Sequence, residues 1–376
     1  VDFPFEALRR APDAEAPGLM ATDAADRLLL DESAESRASA AEGELVVIGD
    51  GYGALTLAAA HEGARGIRVH QDPLTGERAL ARNAAALGLT GTFASLPLSR
   101  DLVRGARVVL LRLPRSLDAL HDIAGLIAAH AAPDVVVYAG GRLKHMTVTM
   151  NEVLGRRFAR LDVTHARQKS RVLVARAPHD GADPAPHTRT VDVAWTGTLL
   201  VCAFGGAFAG ATVDLGTRML LRHLPDGIPG DDPLIDFACG TGVVAASLAL
   251  RHPDRRVYGS DQSAAAVASA LATAEANGVS DRVTLVRDDL LGELPDAAAS
   301  FIALNPPFHS GPAVTDALAP RMFADAARVL RPGGQLWTVW NSHLHYRGAL
   351  ERLVGPTRQV ARDAKFTVTA SVRRAA

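Results

Sequence analysis

The sequence predicts an α/β protein of two tandem domains, each a doubly wound, mostly parallel sheet, and three observations carry that expectation. Apolar stretches of strand length alternate with helix-period stretches through both halves. In each half a strand runs into a glycine turn that opens a helix: Gly49-Asp50-Gly51-Tyr52-Gly53 in the first, Cys239-Gly240-Thr241-Gly242 in the second. Between them, residues 179–190 read HDGADPAPHTRT, where Pro, Gly and polar residues replace any apolar period. The expected division is therefore residues 1–178, a linker at 179–190, and residues 191–376, and a chain of 376 residues is long enough for two cores.

The elements follow in order. In the first half, Leu45 to Ile48 reads as a strand, Ala54 to His61 as a helix, Ile67 to Asp72 as a strand and Glu77 to Leu87 as a helix. In the second, Pro233 to Phe237 is a strand and Val243 to Leu250 a helix. Arg256 to Asp261 is the next strand, Ser263 to Asn277 an Ala-rich helix, and Arg282 to Arg287 and Ser300 to Leu304 two further strands. The helix endings Asn83-Ala84-Ala85-Ala86-Leu87-Gly88 and Glu275-Ala276-Asn277-Gly278 are alike, which points to an internal duplication.

Composition excludes several classes. A hydrophobic share of 48% and a charged share of 22% are ordinary for a soluble chain. No apolar run reaches membrane-spanning length, and the first residues lack a basic region followed by an apolar core, so a cytoplasmic protein with no membrane partner is expected. Cys202 and Cys239 are too few for a disulfide framework or a zinc cluster, so no metal site is expected. A net charge of -1 gives no broad positive field, and any nucleic-acid contact must come from local patches.

Sheets of this kind bind ligands beyond the carboxyl ends of their strands, and there the second half carries a consistent set of groups. Gly240 and Gly242 let a backbone approach a nucleotide, and the following helix start offers free N–H donors. The turn alone also fits a loose dinucleotide fingerprint, which leaves nicotinamide and flavin cofactors open. Asp236 precedes the turn. Asp261 ends the next strand at a spacing suited to adenosine ribose hydroxyls, and Asp288 and Asp289 close the third strand, where a carboxylate can accept from an adenine amine. A lone strand-end Asp is as often a cap or turn residue, but acids at three successive strand ends favour an adenosine.

The fourth strand delivers Asn305-Pro306-Pro307-Phe308-His309 to the same edge. Pro306 forces Asn305 out of the helical region, and neither proline donates an N–H. A conjugated exocyclic amine is a poor nucleophile. The Asn305 side-chain oxygen and the Pro306 carbonyl are suitable acceptors to hold it in attacking geometry, and Phe308 offers a face for its base. This placement selects a methyl donor, S-adenosylmethionine, over a hydride carrier.

With these residues in order, the C-terminal half resembles the class I, Rossmann-like methyltransferases that carry an Asn-Pro-Pro-aromatic motif. Within them it is similar to the ribosomal RNA guanine-N2 methyltransferases, both the C type that acts on the small ribosomal subunit and, more closely at Val339 to Tyr346, the G type that acts on the large one. Val213 to Arg218 and Lys365-Phe366 add to the likeness. The resemblance implies two fused methyltransferase-like domains, each sheet ending in an antiparallel hairpin, with a non-catalytic first domain and N2-methylation of a guanine in ribosomal RNA. The first half fits that picture, since Leu111-Arg112-Leu113-Pro114-Arg115-Ser116 stands where Asn305 would be. One departure is Ala238, which occupies the place of the first loop glycine in many relatives and is expected to alter cofactor affinity rather than abolish it.

The segment from Arg142 to Arg176 carries a net +7, with Arg142, Lys144, Arg156, Arg157 and Arg160 as candidate phosphate contacts for ribosomal RNA. Two rival readings stay open at this point: methylation of another planar amine, adenine N6 or a protein glutamine, and a non-catalytic RNA-binding assembly factor.

Overall fold

The computed structural model describes residues 2–307 and 312–375, apart from the side chains of 312–317. The chain divides into two compact units, Val1–Ala185 and Pro186–Ala376. In the N-terminal unit, α1 (Ala24–Ser39) precedes β1 (Leu45–Ile48), α2 (Ala54–His61), β2 (Ile67–His70), α3 (Leu74–Leu87) and β3 (Phe93–Ser95). Then come α4 (Arg100–Val103), β4 (Val108–Arg112), α5 (Leu117–His130), β5 (Val136–Arg142), α6 (Val148–Gly155), β6 (Phe158–Val163) and β7 (Ser170–Pro178). The sheet order is β3-β2-β1-β4-β5-β7-β6, parallel except that β7 runs antiparallel to both its neighbours.

The C-terminal unit repeats this plan. A two-stranded ribbon, β8 (His187–Val193) and β9 (Gly197–Ala203), leads to α7 (Leu215–Leu221), β10 (Leu234–Phe237), α8 (Val243–Arg251), β11 (Val257–Asp261) and α9 (Ala264–Ala276). Next are β12 (Val283–Arg287), β13 (Ala299–Leu304), α10 (Pro312–Val329), β14 (Leu330–Asn341), α11 (Arg347–Leu353), β15 (Thr357–Arg362) and β16 (Phe366–Val372). Its sheet order is β12-β11-β10-β13-β14-β16-β15, again closed by an antiparallel hairpin.

β1 is wholly apolar, and β10 is apolar but for Asp236, because both faces of each strand are covered. Successive side chains of β1 alternate between two cores: Leu45 and Val47 pack with Leu29, Leu57 and Leu80, while Val46 and Ile48 pack with Leu102, Ile123 and Met150. In β10, Leu234 joins Val243 and Leu248 on one face, and Ile235 and Phe237 join Phe323 and Leu330 on the other.

The stretch expected as linker at 179–190 is shorter than that, because His187 to Thr190 already form the first half of β8. Their exposed side chains on an edge ribbon give no apolar period for sequence reasoning to find. Val193, Leu199 and Val201 of the ribbon reach the core, and its backbone is held by a polar row along α9 and its C-cap. Ser269 Oγ accepts from the Phe204 N–H, Thr273 Oγ1 from the Cys202 N–H, and Asn277 Oδ1 from the Leu200 N–H, at 2.9 to 3.0 Å. Four residues of helix rise about 6 Å and two of strand just under 7 Å, so the two periodicities run nearly in step. Thr273→Val removes the acceptor of a buried N–H and is expected to lower stability by about 1–3 kcal/mol, read from urea unfolding.

Candidate functional site

β10 and β11 end side by side, with Phe237 level with Ser260, so the glycine turn and Asp261 meet at the carboxyl edge of the sheet. Asp261 Oδ2 accepts from the Gly240 N–H and Oδ1 from the Ser263 N–H, both at 3.0 Å. These two bonds tie the end of β11 to the glycine turn and to the start of α9. Gly240 and Gly242 lie at φ 53° and 77°. A Cβ on Gly242 would stand 2.8 Å from the Ala270 backbone, so that glycine lets α9 pack against the turn, whereas a Cβ on Gly240 would meet nothing within 4 Å. The face over Gly240 is thus open to a ligand. Ala238 adopts φ 60°, a left-handed conformation that costs a methyl-bearing residue roughly 1–2 kcal/mol.

The other acids divide their roles. Asp236 is buried and its Oδ2 accepts from the Ala245 N–H at 2.8 Å, which ties the strand to the first turn of α8. Burial, with the Asp261 charge beside it, pushes its carboxyl up to about 7. Asp288, also buried, accepts from the Asp289 N–H at 2.7 Å and the Glu293 N–H at 2.8 Å, so it shapes the turn after β12. Asp289 lies 3.9 Å from Arg321. An open glycine turn held against a strand-end carboxylate fits an adenosine with its ribose toward Asp261.

Asn305 follows β13, whose Leu304 is level with Phe237. It is half-buried, Pro306 is buried and Pro307 exposed. Its Nδ2 donates to Thr217 Oγ1 at 2.9 Å and lies 3.3 Å from Asp214 Oδ2. Asp214 is the N-cap of α7, accepting from the Gly216 and Thr217 N–H groups. Sequence reasoning missed both partners: the capping signal at Asp214 is readable, but nothing local links it to a side chain 91 positions later. Phe308 and His309 lie outside the described residues.

The N-terminal unit has the same frame with different chemistry. Ile48 is level with Leu111 as Phe237 is with Leu304, so Arg112 occupies the place of Asn305. Its Nη1 binds Asp23 at 2.9 Å and Asp26 at 2.7 Å, the N-cap and third residue of α1. Burial raises the Asp26 carboxyl to about 6 even beside that guanidinium. Likewise Gln71 follows His70 where Asp261 follows Ser260. Its amide donates to the Asp50 and Gly51 carbonyls, offering a donor where the other unit offers a carboxylate. Over the turn, Tyr52 donates to Asp13 at 2.6 Å and carries Arg10 4.5 Å above its ring. The position matching Asn305 thus carries no amide, and the one matching Asp261 no carboxylate.

The basic segment does not form one patch. Arg142 is level with Ser170 at one end of β7, whereas Arg160 is level with Arg176 near the other. Arg160 and Arg176 share Asp162, Arg167 binds Asp31, and Arg157 donates to the Asp180 carbonyl. At the carboxyl edge of the sheet, Lys144 and Arg115 are exposed beside Arg142. Burial and then the charges of Arg115, Lys144 and Arg142 pull the His145 imidazole below its usual value, with Asp23 acting against them.

Among the described residues no cluster of His, Cys, Asp or Glu is arranged to hold a metal ion, and no helix is long and apolar enough to cross a membrane. Residues 198–370 match the family model of the methyltransferase small domain, and residues 2–179 match that of the RLMG N-terminal domain. The chain is 37% identical to the ribosomal RNA large subunit methyltransferase G of Streptomyces avermitilis, over 98% of this chain and 97% of that protein. It is 34% identical to the same-named protein of Shewanella amazonensis, over 97% and 96%, and 32% identical to that of Pseudomonas aeruginosa, over 96% of each. Among solved structures, the T. thermophilus 16S rRNA N2 G1207 methyltransferase in complex with AdoMet and guanosine has the same fold, with a TM-score of 0.74 at 21% identity over 96% of this chain and 97% of that one.

Proposed function

The chain belongs to the ribosomal RNA large subunit methyltransferase G family, and on that premise we propose that its C-terminal unit methylates the N2 amine of a guanine in the RNA of the large ribosomal subunit. The observation that carries the reading is Asn305, anchored through Nδ2 at the end of β13, beside the strand that leads into the glycine turn. Bound S-adenosylmethionine supplies a methyl activated by its sulfonium and leaves as a neutral thioether.

The chain's own part is to bind and to orient. Asp261 accepts from the ribose hydroxyls while holding the Gly240 N–H, and Gly240 admits the ligand to the backbone. Asp289 is assigned to the adenine amine. Asp288 and Asp236 support that site from behind, each accepting from backbone N–H groups that shape the turns around it. Asn305 Oδ1 and the Pro306 carbonyl accept from the two N–H groups of the target amine and hold its lone pair toward the methyl. Pro307 stiffens that turn, and by its place in the sequence Phe308 stacks on the base. No residue is required as a strong base, because the methylated amine sheds its extra proton to water.

The N-terminal unit is assigned to RNA. Of the basic residues, Arg142 and Lys144, joined by Arg115, offer one cationic face for phosphate, while Arg156, Arg157 and Arg160 lie toward the other end of the sheet and bind more weakly. Lys144→Glu with Arg115→Glu is expected to weaken RNA binding and flatten its log-log salt dependence by about two phosphate contacts. Unchanged affinity and slope, measured by filter binding across a salt series, would remove that edge from the footprint.

The reading is tested by methylating RNA from both ribosomal subunits with the purified protein and mapping the mark. 2-Methylguanosine in RNA of the large one is the expected product; 6-methyladenosine, or no transfer to RNA with the protein still binding S-adenosylmethionine, would overturn it.

A further inference from the structure

We propose that Asp214 and Thr217 are positioning residues for methyl transfer: they dictate which end of the Asn305 amide faces the substrate. This rests on the reading that Asn305 grips the target amine. The two ends of a carboxamide are nearly identical in shape, so only hydrogen-bond partners decide which way it points. The question matters because the NH2 end repels an amine's N–H groups and the oxygen accepts from them.

The chain of donors and acceptors has one solution. Asp214 is a carboxylate and only accepts, and its Oδ1 takes the Gly216 N–H at 2.9 Å and the Thr217 N–H at 3.2 Å. Its Oδ2 takes the Thr217 hydroxyl proton. With its single proton committed there, Thr217 Oγ1 presents only lone pairs to Asn305, and at 2.9 Å the group opposite is Nδ2. Asn305 Nδ2 also lies 3.4 Å from Asp214 Oδ1 and 3.3 Å from Oδ2, so both neighbours require a donor. Oδ1 is left for another partner. Beside it stands Gly216, where a Cβ would sit 3.4 Å from Asn305 Oδ1 and 3.1 Å from Asp214 Oδ1. The glycine thus keeps a side chain away from the acceptor.

The N-terminal unit is the internal control. There the same two positions, N-cap and third residue of the helix before the first strand, are Asp23 and Asp26, and the group they hold is the Arg112 guanidinium. Two acids require a cation with donors on every side, and a cation leaves no acceptor facing outward. A hydroxyl in place of the second acid is what allows a neutral amide to be held by one end.

Three variants of the full chain, compared with wild type and Asn305→Ala, test this. Thr217→Val keeps shape but removes the hydroxyl, and is expected to lower kcat about 10–100-fold with the dissociation constant for S-adenosylmethionine and the Tm nearly unchanged. Thr217→Ser restores the hydroxyl and recovers most of the loss. Asp214→Asn still caps α7, but its NH2 group donates to Thr217 and sends the threonine proton to Asn305, turning the amide; kcat falls while Tm holds. Wild-type kcat in Thr217→Val with Asn305→Ala dead would overturn the proposal and leave the role of Asn305 standing. Equal losses in Thr217→Val and Thr217→Ser that follow Tm would overturn it too, as a packing effect. Activity in Asn305→Ala would remove the underlying reading and this proposal with it.

Discussion

Asn305→Ala is expected to lower the rate of methyl transfer by about 10³-fold while leaving S-adenosylmethionine affinity nearly intact. The two effects should separate because the residues proposed to hold the cofactor and the residue proposed to hold the amine come from different strands. The turn after β10 and Asp261 at the end of β11, which are assigned to the adenosine, are bonded to each other, whereas Asn305 after β13 is tied back to Thr217 on α7. What is lost is an acceptor aimed at a nucleophile whose lone pair is otherwise spread into the base. Single-turnover transfer to ribosomal RNA, together with calorimetric titration of the cofactor, reads both quantities. Loss of rate and affinity in equal proportion would mean that Asn305 acts through the cofactor and not on the amine.

Asp261→Ala should show the opposite split. The carboxylate orders the Gly240 N–H at 3.0 Å and is assigned both ribose hydroxyls. Hydrogen bonds to a charged acceptor contribute about 1.5–3 kcal/mol each, so losing two predicts a dissociation constant raised by about 10²–10³-fold or more. At saturating cofactor the rate should fall far less, since the proposed amine site is built from β13 and α7. Asp261→Asn keeps the shape but places a donor in a position that accepts, as Gln71 does in the first unit, and should recover little. A dissociation constant close to wild type in both variants would contradict the placement of the adenosine.

What could be read from the sequence follows from the range of each interaction. Strand ends, glycine turns and helix starts are local, so Asp236, Gly240, Gly242, Asp261 and Asn305 could all be assigned to one edge of a parallel sheet, and β10, β11 and β13 end where expected. The duplication was legible for the same reason, and the strand register gives it residue-by-residue content in Arg112 and Gln71. The direction of a buried side chain was not legible. Asp288 and Asp289 are adjacent carboxylates, yet one folds inward onto the Glu293 N–H and the other lies near Arg321. Nor was the split of the basic segment, because β6 and β7 fold back as a hairpin and carry Arg160 away from Arg142. The bond from Asn305 to Thr217 joins positions 88 apart and has no local signature.

A crystal structure of the protein with S-adenosylhomocysteine and guanosine measures the decisive distance. Asn305 Oδ1 should lie within about 3.2 Å of the guanine N2, with Nδ2 still on Thr217 and the thioether sulfur on the far side of the amine. A guanine bound with N2 turned toward another group, or an Asn305 amide presenting Nδ2 to it, would contradict the mechanism.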